Sequence, residues 1–356
     1  MKSTFKIKNW QLLKARDAEG KVTLPKGDFV AVGARAFAGK HNPYVESVVI
    51  PDGVSVIKAQ AFADCKNLRT VILPSNNNIG LSGGVFKGCT RLREVANSEH
   101  VNSIGELAFA DCTALQHIEL GNALHRIGEG AFANCRALTS IALPSSLRKI
   151  GDGAFVGCRE LAFYTAPDTL SALSEEMFLD CVSLREVMIP AAVKVIPNGA
   201  FSGCISLREV KIPANVQEIG KRAFANCRKL HTVRMELGVT RIGARAFDQI
   251  PALREVFLPH SVKKLGFGAF GTGKRKDGEV ITVCVENEYM VRRMKSLLFW
   301  CGSANCTTVK LIGKSIEERK RERRRADPAK KNFPHIVGEY TGKSIILQSA
   351  FGKSKL

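Results

Sequence analysis

The chain has 356 residues, of which 45% are hydrophobic and 24% charged. These proportions are globular and exclude collagen-like, mucin-like and wholly disordered classes. Fifty-three Lys and Arg against thirty-three Asp and Glu give a net charge of +20, which favours acidic partners without naming them; half of that excess lies in residues 271–356, which hold 19 basic and 9 acidic side chains.

The N-terminal stretch carries lysines but no uninterrupted apolar core and no small-residue cleavage site, so it does not read as a standard secretory signal. No apolar run approaches the roughly 18 to 20 residues that span a bilayer. A cytoplasmic location is therefore expected. Residues 1–29, with Trp10, Leu12 and Leu13, are expected to form an N-terminal cap.

From residue 30 to 279 the chain repeats. Phenylalanines stand at Phe37, Phe62, Phe86, Phe109, Phe132, Phe155, Phe178, Phe201, Phe224, Phe247 and Phe270, spaced by 25, then 24, then 23 eight times. Other apolar positions keep the register. Ile104, Ile127, Ile150 and Ile196 come five before a Phe, and Leu115, Leu138, Leu161 and Leu184 come six after one. Stretches such as Leu207-Arg-Glu-Val210-Lys-Ile212-Pro213 then alternate with period two, which reads as a short strand ended by proline. Gly105, Gly128, Gly151, Gly220, Gly243 and Gly266, four before the Phe, are expected to make a tight turn. A single coil cannot bury its own Leu, Ile and Phe, so neighbours must stack into a continuous core. The period is that of a leucine-rich repeat solenoid of the α/β class, a horseshoe or arc. About eleven coils of 23–25 residues are expected, with a parallel sheet on one face on the order of 50 Å long.

The pattern Ile-Gly-x-x-Ala-Phe-x-x-Cys-x-x-Leu-x-x-(Ile/Val)-x-(Leu/Ile)-Pro, seen from Ile127 to Pro144 and from Ile196 to Pro213, closely resembles the BspA-like, Treponema pallidum-type leucine-rich repeat family over about residues 30–270. The resemblance implies a mostly non-enzymatic protein, on the cell surface or secreted, that binds host proteins, matrix or other cells in the manner of an adhesin. The missing export signal departs from that pattern. Two coils depart in sequence. One has Ser82 and Val85 for Gly and Ala and ends in Ala96-Asn97-Ser98, and the other carries Tyr164 and Ala166 at inward positions. The solenoid is expected to bend or loosen there.

Residues 280–313 read as a strand-helix-strand cap with Gly302 closing the helix, again resembling the family. Residues 314–356 form a basic tail. Within it Ser315 and Glu318 make a capping box for a short helix at 316–326.

Eight cysteines, Cys65 to Cys227, recur three after the eight phenylalanines from Phe62 to Phe224 and read as small buried hydrophobes rather than disulfides or a metal ladder. Cys284, Cys301 and Cys306 match no common zinc spacing, a fourth ligand such as His335 would have to come from afar, and packing in the cap is the expected role. Gly266 to Gly271 imitates a dinucleotide fingerprint and Gly80 to Gly84 a nucleophile elbow, but both sit in repeat register. No catalytic, metal or cofactor site is expected, and the chain reads as a non-enzyme.

A protein partner on the strand exteriors is expected. Phe163, Met188 and Phe257 occupy outward phases beside Lys211 and Arg234, and Arg185-Glu186 and Arg208-Glu209 belong to charged rows along the same strands. A shift of one residue would turn them inward. The alternative is a tail that binds nucleic acid or another anionic surface through Arg319, Lys320, Arg321, Arg323, Arg324 and Arg325, with the solenoid as spacer. The sequence leaves the oligomeric state open.

Overall fold

Every coil buries the same side chains, and that repetition builds the molecule. The computed structural model describes residues 4–312 apart from 17, 28, 40–41, 76–77, 272–279, 287 and 304–306. Phenylalanines from Phe37 to Phe270 are buried. Consecutive Phe rings stack with centroids 4.8 to 5.6 Å apart and planes within about 25° of parallel. The Leu and Ile rows and the alanines or their replacements beside the Phe line the same continuous core.

The coils are tied by backbone hydrogen bonds along three edges. One parallel ladder consists of the strands after each Leu, which we call the Leu-Pro ladder. It runs through 20–23, 45–49, 70–72 and 94–96, then 140–142 and 163–165, then 209–212, 232–235, 255–257, 281–285 and 307–311. A second ladder, not expected from the sequence, joins the residues just before the Gly position of each coil, which is occupied by Pro197 after Val195–Ile196. This Ile-Gly ladder includes Arg126–Ile127 and Lys149–Ile150 in one sheet, and Val195–Ile196, Glu218–Ile219, Arg241–Ile242 and Lys264–Leu265 in another. Along the Ala-Phe corner, amide donors also reach the next coil, as in Phe109 N–H to the Ala131 carbonyl at 2.7 Å and Phe132 N–H to Ala154 at 2.8 Å. The corners are turns, and the α-helix among the described residues lies in the C-terminal segment.

The glycines four before the Phe do not make the turn. They are absent from the left-handed positions, which fall two before the Phe, as at Leu107 and Gly130, and two after it, as at Asp111 and Asn134. What demands glycine is proximity. A Cβ on Gly128 would stand 2.4 Å from the Glu106 amide nitrogen, and one on Gly151 would stand 2.3 Å from that of Glu129. Coils pack there backbone to backbone.

The Leu-Pro ladder breaks at residues 117–119 and 186–188, and the Ile-Gly ladder breaks near Leu173. Tyr164 sits beside the second break. Its ring is buried in a row otherwise filled by Val or Ile, 4.5 Å from the Phe178 ring, and its hydroxyl donates to the Met188 carbonyl. The regular ladder runs from Leu143 N–H to the Thr165 carbonyl at 2.9 Å; one coil on, the Met188 carbonyl takes a phenol. At Ala96-Asn97-Ser98 the chain adds a short 3-10 turn, Ser98–His100, while the strand 94–96 keeps its pairing to 70–72.

At the N-terminal end an antiparallel hairpin, Thr4–Lys8 with Gln11–Arg16, covers the first coil. Leu12 is fully buried, and Phe5 approaches Phe37 at 6.4 Å. Trp10 and Leu13, expected in this cover, face outward instead because they sit at the hairpin turn and on the opposite strand face. At the other end Ile281–Val285 and Thr307–Leu311 extend the Leu-Pro ladder. Between them helix Glu288–Trp300 buries Met290, Met294 and Leu298, and Gly302 follows at φ 76. No helix among the described residues is long and apolar enough to cross a membrane. The helix expected at 316–326 and the basic tail lie outside the described residues.

Candidate functional site

The outward face of the Leu-Pro ladder carries two side-chain rows, two residues apart, with a buried row between them. Strand Glu209–Ile212 shows the alternation directly: Glu209 and Lys211 are exposed, and Val210 and Ile212 are buried. Register aligns Lys211 with Arg234 and Arg234 with Phe257, and Met188 lies one period before Lys211. Phe163 belongs to the other row, one period before Glu186 and two before Glu209, which pairs with Thr232.

Phe163 and Met188 are 52% and 53% exposed, so these apolar side chains do point away from the core. Arg185, Glu186, Arg208, Glu209, Lys211 and Arg234 are exposed and Phe257 half-buried. Several of these charges have close neighbours. The Arg234 Nε lies 3.2 Å from Glu209 Oε1, and its guanidinium stands 4.2 Å over the Phe257 ring. Lys211 Nζ pairs with Glu236 Oε1 at 2.9 Å, and the Arg185 guanidinium is 5.8 Å from the Phe163 ring. These pairs are solvent-exposed and contribute little to stability.

A hollow of about 330 Å³ opens beside Phe163. Its lining includes the short side chains Ser140, Ala142 and Thr165 together with Phe163, His117 and Glu119. It lies where the ladder is interrupted at 117–119. The sequence carried a signal for it, small residues in outward phases between larger ones, but that signal has meaning only once coils are stacked. The hollow and Phe163 form one feature. Met188 is a second apolar point next to the other break, and the Lys211, Arg234 and Phe257 row continues from it.

The cysteine ladder is structural in its geometry. All eight thiols are buried, and each donates to the carbonyl of the Phe one coil back, from Cys65 to Phe37 at 3.1 Å through Cys135 to Phe109 at 3.2 Å to Cys227 to Phe201 at 3.2 Å. Burial pushes the Cys65, Cys158 and Cys227 thiols up to about 12 and raises the others as well. Such thiols are neutral and poor nucleophiles. The described cysteines are free, and no group of three metal-ligating side chains occurs among the described residues; Cys306 and His335 lie outside them. Gly266 packs against Ala244 and Gly243 of the previous coil rather than leaving room for a phosphate, and Ser82 takes a ladder position with its N–H on the Ile57 carbonyl at 2.9 Å.

No curated protein matches the chain. Solved structures that resemble it include a leucine-rich repeat protein from Bacteroides ovatus, at 23% identity over 87% of this chain and 98% of that one, with a TM-score of 0.46. A leucine-rich cell surface protein from Faecalibacterium prausnitzii has 22% identity over 71% and 92%, with a TM-score of 0.35. The Treponema pallidum leucine-rich repeat protein has 26% identity over 64% and 87%, with a TM-score of 0.39. The model of the BspA type leucine rich repeat region matches in six copies, over residues 30–162, 80–208 and 171–276. With the repeat matched over most of its length and its coils closing as that pattern requires, the chain belongs to the BspA-type leucine-rich repeat family.

Proposed function

We propose that this protein is a non-catalytic recognition scaffold that binds a protein partner on the outward face of the Leu-Pro ladder, in an adhesin-like role. Phe163 with its hollow and Met188 act as apolar anchors, and Arg185, Glu186, Arg208, Glu209, Lys211, Arg234 and Phe257 supply the surrounding contacts. The observation that carries this reading is the exposure of Phe163 and Met188 on an otherwise ordered face. Exposed large apolar side chains near Arg are what protein-binding hot spots contain. In this reading residues 1–29 and 280–313 cap the solenoid of 30–279, and the tail 314–356 is a secondary electrostatic contact.

The test is site-specific photocrosslinking in native cells, with a photoreactive phenylalanine at position 163 or 188 of the full chain and controls at Arg126 and Ser171 on the Ile-Gly side. Discrete protein adducts from 163 and 188, absent from the controls, are expected. Equal adducts at all four positions, or none at 163 and 188, would overturn the reading.

A further inference from the structure

On the Ile-Gly side the row three before the Phe changes sign along the solenoid, whereas the strand rows carry cations in both halves, Arg126, Arg148 and Lys149 among them. From the coil of Phe109 to that of Phe178 the position three before the Phe is acidic every time: Glu106, Glu129, Asp152 and Glu175, all exposed. From the coil of Phe201 onward the surface is basic. Lys194, Arg241, Lys263 and Lys264 stand exposed on or immediately before the strands Val195–Ile196, Arg241–Ile242 and Lys264–Leu265, and Lys221, Arg222 and Arg245 stand exposed on the turns that follow. Among the four strands of this sheet Glu218 is the sole acid, and it is already paired with Arg241 at 3.5 Å. Seven cations thus share a surface four coils long, about 15 Å at the usual strand spacing.

We infer that this face is a second binding surface, distinct from the Leu-Pro face and from the tail, and that it takes the phosphodiester backbone of a nucleic-acid duplex without reading sequence. The chemistry favours that occupant. A duplex offers one negative charge per roughly 1.7 Å of axis, dense enough to engage cations in several rows at once. Three of the cations are arginines, whose forked donors match phosphate oxygens. The exposed apolar side chains here, Val195 at 45% and Phe267 at 60%, are too few to insert into a membrane or to serve as a stacking track for single strands. In the preceding coils the acidic row from Glu106 to Glu175 offsets the strand cations Arg126, Arg148 and Lys149, so the net positive charge is concentrated in the C-terminal coils.

The test uses the full chain and a fluorescein-labelled 20-base-pair duplex of arbitrary sequence, read by anisotropy across a salt series. In one variant Lys194, Lys221, Lys263 and Lys264 are changed together to Gln, and in another the six tail cations Arg319 to Arg325 are changed to Gln. The face variant is expected to lose at least tenfold in affinity at low salt. Its log–log salt slope should become shallower by about 3.6, since each of the four phosphate contacts contributes about 0.9. Its unfolding midpoint should stay at the wild-type value. Should that variant lose stability, the pair Lys263→Gln and Lys264→Gln is read in its place, with at least a threefold loss expected. The inference is overturned if the wild type does not bind the duplex, or if the face variant binds like the wild type. It is likewise overturned if only the tail variant loses binding, or if heparin or phosphatidylserine vesicles are held more tightly than the duplex.

Discussion

Each ladder cysteine meets two demands at once: a site with no solvent and little volume, and a Phe carbonyl one coil back that accepts its thiol at 3.1 to 3.4 Å. Buried thiols with raised pKa values make stability depend on pH, and the sign follows from proton counting. Above the ordinary thiol value of 9.0 the unfolded chain loses protons that the folded chain keeps until about 12. Stability is therefore full below pH 9 and falls between 9 and 12, by roughly 1.4 kcal/mol per thiol per pH unit. Urea midpoints measured from pH 7 to 10.5 should fall above 9, and replacing Cys135 and Cys158 by Ala should make that fall shallower. An unchanged slope would mean that the thiols ionise in the folded state. Unfolding should also precede any alkylation of these cysteines at neutral pH.

The short elements are set by contacts between coils, and the substitutions that probe them act there. Gly128→Ala should cost about 1 to 3 kcal/mol, because the added methyl meets the backbone of Gly105 and Glu106, which cannot rotate away. A neutral result in urea unfolding would show that the coils separate easily. Tyr164→Phe deprives the Met188 carbonyl of its donor and should cost about 1 kcal/mol. Faster amide exchange confined to residues around 186–189 is the accompanying signature, and exchange unchanged there would contradict the hydroxyl's part in tying the two coils. The Phe, Leu and Ile rows were legible in the sequence because one period fixes them. The Ile-Gly ladder was not. Its strands, such as Arg126–Ile127, are two residues long and carry no alternation to read. The glycine row was legible as a row but was given the wrong cause, since a turn and a close approach leave the same mark in the sequence. Tyr164 marked its coil as unusual, but only stacking shows that its hydroxyl reaches the neighbouring strand.

At the scale of the molecule the inward and outward rows carry separate duties. Inward side chains stack from coil to coil, so stability is close to a sum over neighbours. Outward side chains vary along the same frame, from the acidic run at Glu106 to Glu175 through Phe163 and Met188 to the basic surface beyond Lys194. The outward orientation of Phe163 and Met188 was legible from phase alone, whereas the hollow depends on which outward side chains become neighbours once the coils stack. The most direct measurement of this division compares urea unfolding of Phe132→Ala with that of the double variant Phe163→Ala and Met188→Ala. Phe132 is fully buried between two rings, and its loss should cost about 3 to 5 kcal/mol. The exposed pair should change stability by no more than about 0.5 kcal/mol per site. If instead the exposed pair cost as much as Phe132, those side chains would belong to the fold and would not be a surface kept for a partner.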